Sequence, residues 1–345
     1  MIGMFAGQVA ATNLPKSKTT LVVAAALFAS SSLIADTAIL VALPAELEAV
    51  RFEVRVVGKP VELAGHRISI GYRKGQKLYI ARTGARNVNA AIVTQALLTR
   101  YKVDGVISIG VAGYVGGNEN VTTEIPRHAR MDTTKAEKTE NREATAENWK
   151  VGDILIATEV INHQAGKETP AGFDSDKEEQ SAGGGQLSAE YKTRCDELRK
   201  TATEATTEIL QQVHDNNTDK QPQAGTPTLP EPLKLKTEGR VPIASLCFGK
   251  LVSGDSFIAS SEKRKWLRET FHADAVDMVS AGIARVCEAN GVPYVIIRAV
   301  SDNADESASA DFAAFVQKYK EPVTAKIALG IVDRIAAEAA HPQPK

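Results

Sequence analysis

The sequence predicts an α/β domain built on a mixed, largely parallel sheet. From residue 37 onward, apolar runs of strand length alternate with segments whose apolar residues recur at helical spacing. Several of those runs, among them "DGVISIGVAG" and "YVIIRAVSD", are apolar on both faces, as a strand covered on both sides must be. The second run also ends in an acid, Asp302, at the strand end where open sheets of this class bind ligands.

The elements follow in order. "TAILVAL" is the first strand, and Pro44 opens the helical "AELEAVRFEV". "HRISIGYRKGQKLYIARTG" alternates and turns, which predicts a hairpin of Arg67–Tyr72 with Lys77–Arg82. "NVNAAIVTQALLTRY" is a helix, "DGVISIGVAG" a buried strand running into glycines, and "VGDILIATEVIN" another strand. "AVDMVSAGIARVCEANG" passes from a strand end into a helix closed by Gly291. Pro293 leads into the strand that ends at Asp302, and "FAAFVQKYKEPVTAKIALGIVDRIAAEAA" supplies the last helices.

Two stretches interrupt this alternation and are expected to be insertions in a single domain spanning 36–345. Residues 118–149 hold almost no large apolar side chains to offset the entropy of ordering. Residues 165–240 combine a glycine-rich tract at Ser181–Gly185, a helix around Ser188–Val213 and a Pro/Thr/Gln-rich loop. Ahead of the domain, Lys16 and Lys18 precede "TTLVVAAALFASSSLIA", an apolar, small-residue run. Residues 1–35 are therefore expected to be a signal peptide cut after Ala35, which would place the mature protein in a periplasm or outside the cell. An uncleaved leader would be an anchor, and if the segment is not a signal the protein is cytoplasmic.

With 345 residues, 43% hydrophobic and 24% charged, the composition is that of an ordinary globular protein with a sizeable core. A formal net charge of −1 gives no electrostatic case for nucleic acid or an anionic membrane. Cys195, Cys247 and Cys287 are far apart with no CxxC, so neither a zinc site nor a disulfide framework is indicated.

Four pieces carry chemistry: "ALPAELEAV" with Glu46 and Glu48, "SIGVAG" at 108–113, "VSGDSFI" at 252–258, and "VDMV" at 276–279 followed by "AVSD" at 299–302. Their order and spacing resemble the nucleoside phosphorylase and nucleosidase superfamily, and most closely the 5′-methylthioadenosine/S-adenosylhomocysteine nucleosidases. The resemblance covers 37–117, 150–164 and 245–335. It implies a three-layer α/β/α fold, hydrolysis of the N-glycosidic bond of an adenine nucleoside, no metal or organic cofactor, and at least a homodimer.

It also implies roles. Asp302 is the acid that protonates the purine as the bond to the sugar breaks. A carboxyl can do this near neutral pH only if burial raises its pKa. The residue-level alternative is a cap on the following "NADESAS". Glu46 is the base that activates water across the sugar; otherwise it is a first-turn acid favoured by the helix dipole. Phe257 stacks on the base, the Ile258 backbone reads its edge, and Met278 lies under the ribose. Ser301 and Arg298 position the loop carrying Asp302, and Gly110 and Val111 belong to the glycine turn. Asp255 sits in a tight turn and is given no chemistry.

Two departures matter. Phosphorylases of this superfamily hold phosphate with an arginine and a serine or threonine; Ser108 and Val111 stand at those positions. Losing those donors makes water the expected nucleophile. Where nucleosidases read Glu-Met-Glu, this chain has Asp277-Met278-Val279, so Ser280 or another group must hold the sugar hydroxyls, or the sugar differs. A nucleoside-binding protein with weak or lost catalysis and a phosphorylase are the alternative functions.

Overall fold

A computed structural model describes residues 36–116, 149–170, 172–175, 187–217, 244–319 and 322–340. The expected leader, the glycine-rich tract, nearly all of the first insertion and about half of the second lie outside these residues.

Strand β1 (Asp36–Val41) sits near the middle of a nine-stranded sheet. Its side chains alternate between two cores: Ile39 and Val41 on one face, Ala38 and Leu40 on the other. β4 (Gln76–Arg82) and β5 (Gly105–Tyr114) flank it in parallel and repeat the alternation. The first face is covered by α1 (Pro44–Phe52), α3 (Ala189–Asn217) and α7 (Val323–Ala340) through Val50, Leu198, Ile327 and Ile331. The second is covered by α2 (Asn87–Arg100) and α5 (Ser280–Ala289) through Val93, Leu97, Ile283 and Cys287. The domain thus has the three layers expected.

On one side of the sheet, β2 (Arg55–Leu63) and β3 (His66–Arg73) extend it antiparallel from β4. The β3–β4 hairpin matches the sequence reading, but β2 does not. "RVVGKPVEL" holds Gly58 and Pro60 inside the strand, which masks its pattern, and the ladder shifts register between Val57 and Val61 to accommodate them.

On the other side, β11 (Tyr294–Asp302) runs parallel to β5 and antiparallel to β6 (Ile154–Asn162). β9 (Leu246–Ser253) and β10 (Ala275–Asp277) then follow in parallel. β10 also pairs antiparallel with the far end of β5, Ala275 opposite Tyr114. The five strands β5, β11, β6, β9 and β10 therefore close on themselves, and their carboxyl ends converge.

Described parts of both stretches pack onto neighbouring elements. Trp149, assigned to the first, is 4% exposed and packs against Tyr114 with ring centroids 5.6 Å apart. The second contains a small hairpin, β7 (Gly166–Thr169) with β8 (Gly172–Ser175), whose Phe173 meets Trp266 and Phe271 of α4 (Ser261–Phe271). After β11 the chain forms α6 (Ala308–Lys318), which stands over the strand ends.

Candidate active site

A cavity of about 150 Å³ opens where these strands end. Ala42 and Leu43 contribute from the β1–α1 turn, Val111, Ala112 and Gly113 from β5, and Ser256, Phe257 and Ile258 from the loop after β9. Val276 to Val279 contribute from the β10–α5 turn, Ser301 and Asp302 from β11, and Phe312 from α6.

β11 must cross the apolar core to reach this point, which is why six of its nine residues are hydrophobic, aromatic included. Asp302 arrives 2% exposed. Its Oδ1 accepts the Ala304 backbone N–H at 2.9 Å, and its Oδ2 lies 2.7 Å from the Ser301 hydroxyl. That hydroxyl is also 3.3 Å from the Ala112 carbonyl. It has one proton to give: it donates to Asp302 when the carboxyl is ionised, and to Ala112 when Asp302 carries the proton. Burial pushes the carboxyl above its ordinary range; the Ser301 and Ala304 bonds pull it back, and Asp311 and Asp305 push it further up. The close approach depends on Gly113, since a Cβ there would lie 2.7 Å from Asp302 Oδ1.

Glu46 is fully buried and lies behind the cavity wall, not on it. Its Oε2 accepts the backbone N–H groups of Ala42 at 3.2 Å and Leu43 at 3.0 Å, the two residues of the β1–α1 turn that line the cavity. Its Oε1 accepts the Thr324 hydroxyl at 3.0 Å. Burial raises its pKa against the pull of those bonds and of the Arg298 charge. Glu48, by contrast, is exposed and pairs with Arg51 at 3.3 Å.

Asp277 lines the cavity but has no acceptor capacity to spare. Oδ1 accepts Val279 N at 3.3 Å and Ser280 N at 3.2 Å; Oδ2 accepts the Ser280 hydroxyl and Arg298 Nε, the latter at 2.8 Å. Arg298 is fully buried, and its other N–H groups reach the Ser108 and Ile297 carbonyls and the Ser108 and Ser280 hydroxyls. This corrects two expectations. Arg298 fastens the β10–α5 turn to β5, and only Ser301 touches Asp302. Ser280, offered as a replacement for the missing glutamate, is consumed by Asp277 and Arg298.

The remaining predicted residues divide. Ile258, Met278 and Val279 line the cavity with Val111, and Phe257 does so while 43% exposed, its ring 5.8 Å from that of Phe312. Gly110 is not on the wall; it lies between Ala42 and Arg298, where a Cβ would come within 3.0 Å of Ala42 Cβ. Asp255 accepts Asn87 N at 2.7 Å and so starts α2.

Sequence reading missed three residues. Phe312 gave no signal beyond helical spacing, ten positions past Asp302. Asn87 looks like any first-turn polar residue, yet its Oδ1 accepts from Ser253 Oγ and Gly282 N, both at 3.0 Å, tying the loop after β9 to α5. His163 follows β6, is 3% exposed, and neither ring nitrogen has a hydrogen-bond partner among the described residues. It lies against Gly254, where a Cβ would clash with the ring. Burial, then the Lys263 charge, lower its pKa to about 4.

Known proteins resemble this chain in sequence and fold. A 5′-methylthioadenosine/S-adenosylhomocysteine nucleosidase of Staphylococcus aureus is 28% identical over 259 residues, covering 75% of this chain and 82% of its own. The Neisseria meningitidis nucleosidase of the same name, solved with methylthio-immucillin-A, superposes with a TM-score of 0.57 at 25% identity, over 87% of this chain and 99% of that one. Helicobacter pylori futalosine hydrolase shares the fold at 21% identity and a TM-score of 0.57, over 88% of this chain and all of its own. The profile of the Phosphorylase superfamily matches residues 36–123 and 144–333, and with β11 and its terminal acid inside that match, the chain belongs to this superfamily.

Proposed function

We propose that the protein hydrolyses the N-glycosidic bond of a purine nucleoside, most closely an adenine nucleoside of the methylthioadenosine or adenosylhomocysteine type, and releases the free base. One observation carries this reading: Asp302 presents a carboxyl of raised pKa in an apolar cavity beside Phe257. That is the condition under which a carboxylic acid protonates a leaving purine near neutral pH. Glu46 is the base. A carboxylate has about four acceptor sites; the turn amides and Thr324 fill three and leave one for water.

Water is preferred over phosphate because among the described residues no lysine or arginine lines the cavity, and the donors of the buried Arg298 guanidinium are spent. A buried dianion would find no cation. One observation favours a second reading, a nucleoside-binding protein: Glu46 stands behind the wall with most of its acceptor capacity used. Incubation with a panel of purine nucleosides, with and without phosphate, decides among these. Base release independent of phosphate is expected. Release only with phosphate would make the protein a phosphorylase, and micromolar binding without release would make it a binding protein.

Two further features belong to this proposal. Lys16, Lys18 and the apolar run to Ala35 support export, which amino-terminal sequencing of secreted material tests. Among the described residues no helix is long and apolar enough to cross a membrane. Val88 and Ile92, one turn apart on α2 beside the cavity residue Ala85, are 60% and 43% exposed and support a homodimer, which sedimentation tests.

A further inference from the structure

The cavity has two chemically different ends. Ile258 and Val276 belong to the same apolar cluster as Ala304, two residues beyond Asp302, and so mark the end where the acid stands. Val279 belongs instead to the cluster of Leu40, Ala90 and Val93, toward β1 and α2. With the base held between Asp302 and Phe257, the sugar extends toward Val111, Met278 and Val279.

A neighbouring pair of hydroxyls is normally held by a carboxylate with free lone pairs, or by an equivalent pair of acceptors. Among the described residues no carboxylate is free at this end. Asp277 already accepts from Val279 N, Ser280 N, Ser280 Oγ and Arg298. The Ser280 hydroxyl donates to Asp277 and accepts from Arg298. Glu46 has one acceptor site left, which the reaction needs for water. Val111 and Val279 present isopropyl groups, and a hydroxyl set against them loses water without gaining a partner.

We propose that the site does not grip the 2′ and 3′ hydroxyls as a pair and takes purine 2′-deoxyribonucleosides at least as well as ribonucleosides. The proposal rests on the nucleosidase reading and names its sugar. Two effects act in the same direction. A site that hydrogen-bonds a hydroxyl rejects the analogue lacking it by about 10⁴-fold or more, whereas an apolar wall penalises an added hydroxyl by about a hundredfold at most. A hydroxyl at C2′ also withdraws electrons from the oxocarbenium-like carbon, so the deoxy sugar needs less help to ionise.

The test compares kcat/KM of the full chain for adenosine with 2′-deoxyadenosine, and for 5′-methylthioadenosine with its 2′-deoxy analogue, with inhibition constants measured alongside. A deoxy-to-ribo ratio between parity and about a hundredfold is expected, with inhibition constants that differ little. Val279→Glu shifts the ratio toward the ribonucleoside by tenfold or more. If that variant fails to fold, the wild-type ratio alone decides. A wild-type preference for ribonucleosides overturns this proposal and leaves the nucleosidase reading standing. Release from neither sugar overturns both.

Discussion

The carboxyl end of β11 and the β10–α5 turn each deliver a buried aspartate to the same cavity, yet the two acids are unlike. Asp277 accepts from four donors, one of them a buried guanidinium. Asp302 accepts from two neutral donors, and one of those, the Ser301 hydroxyl, has a second acceptor to turn to. Burial alone therefore does not mark a reactive carboxyl. What separates the pair is how many donors each faces, and whether one of them is a cation. Asp277 is a strut that holds Val279 and Ser280 in place, and Asp302 is the group with a proton to trade.

Variants can break or sharpen this contrast. The largest effect belongs to Asp302→Asn, which keeps the shape and removes the acid: base release should fall about 10²–10⁴-fold with thermal stability little changed. Protonation of Glu46, whose pKa burial also raises, closes the acid side of the profile. In the wild type the protonated form of Asp302 is active and its folded pKa is raised, so activity is lost as pH rises through that pKa. The variant's residual rate should lack this limb. Full activity in Asp302→Asn would remove the acid from the mechanism.

Arg298→Leu should act on stability instead. It strands Asp277 without its cation, at a cost of about 3–5 kcal/mol in urea unfolding. A loss below 1 kcal/mol would mean that water replaces the guanidinium and that Asp277 is not a strut.

His163 is another buried polar group near this cavity, and its ring nitrogens have no hydrogen-bond partner among the described residues. Its pKa is depressed from 6.5 to about 4, so the unfolded chain takes up a proton between those values and the folded chain does not. Stability is then complete above pH 6.5 and falls as pH drops toward 4, by up to about 3 kcal/mol. His163→Gln should flatten this acid limb in denaturation measured at several pH values; an unchanged limb would assign it to other groups.

The smallest effect is expected from Phe257→Ala. An aromatic–base stack is worth about 1–3 kcal/mol, so KM should rise about 10-fold or more while kcat moves less. With the ring 43% exposed, the fold should barely notice.

Much of the core sheet was legible from sequence because its strands are apolar on both faces: β1, β5 and β11 each alternate between two cores, and no other element type explains so short an apolar run. Asp302 was legible as the end of such a strand. What was not legible depends on pairing across the chain. Asp277 and Arg298 lie 21 residues apart, and nothing in either segment announces that they neutralise each other. Glu46 was preferred to Glu48 for its place in the family pattern, and α1 buries the first and exposes the second, but the bonds of Glu46 to Ala42, Leu43 and Thr324 place it behind the wall, and Thr324 comes from 278 residues away. β2 was missed because the Gly58-Lys59-Pro60 interruption conceals a strand paired along one edge only.

That same interruption bears on whether the sheet can be extended by another strand. Where β10 joins back to β5, the sheet offers no open row of amides on that flank. β2 is the terminal strand at the opposite flank, and a foreign segment adding there would meet a missing N–H at Pro60, a charge at Lys59 and a ladder already out of step. The kink that hid the strand from view is also what keeps it from recruiting a neighbour.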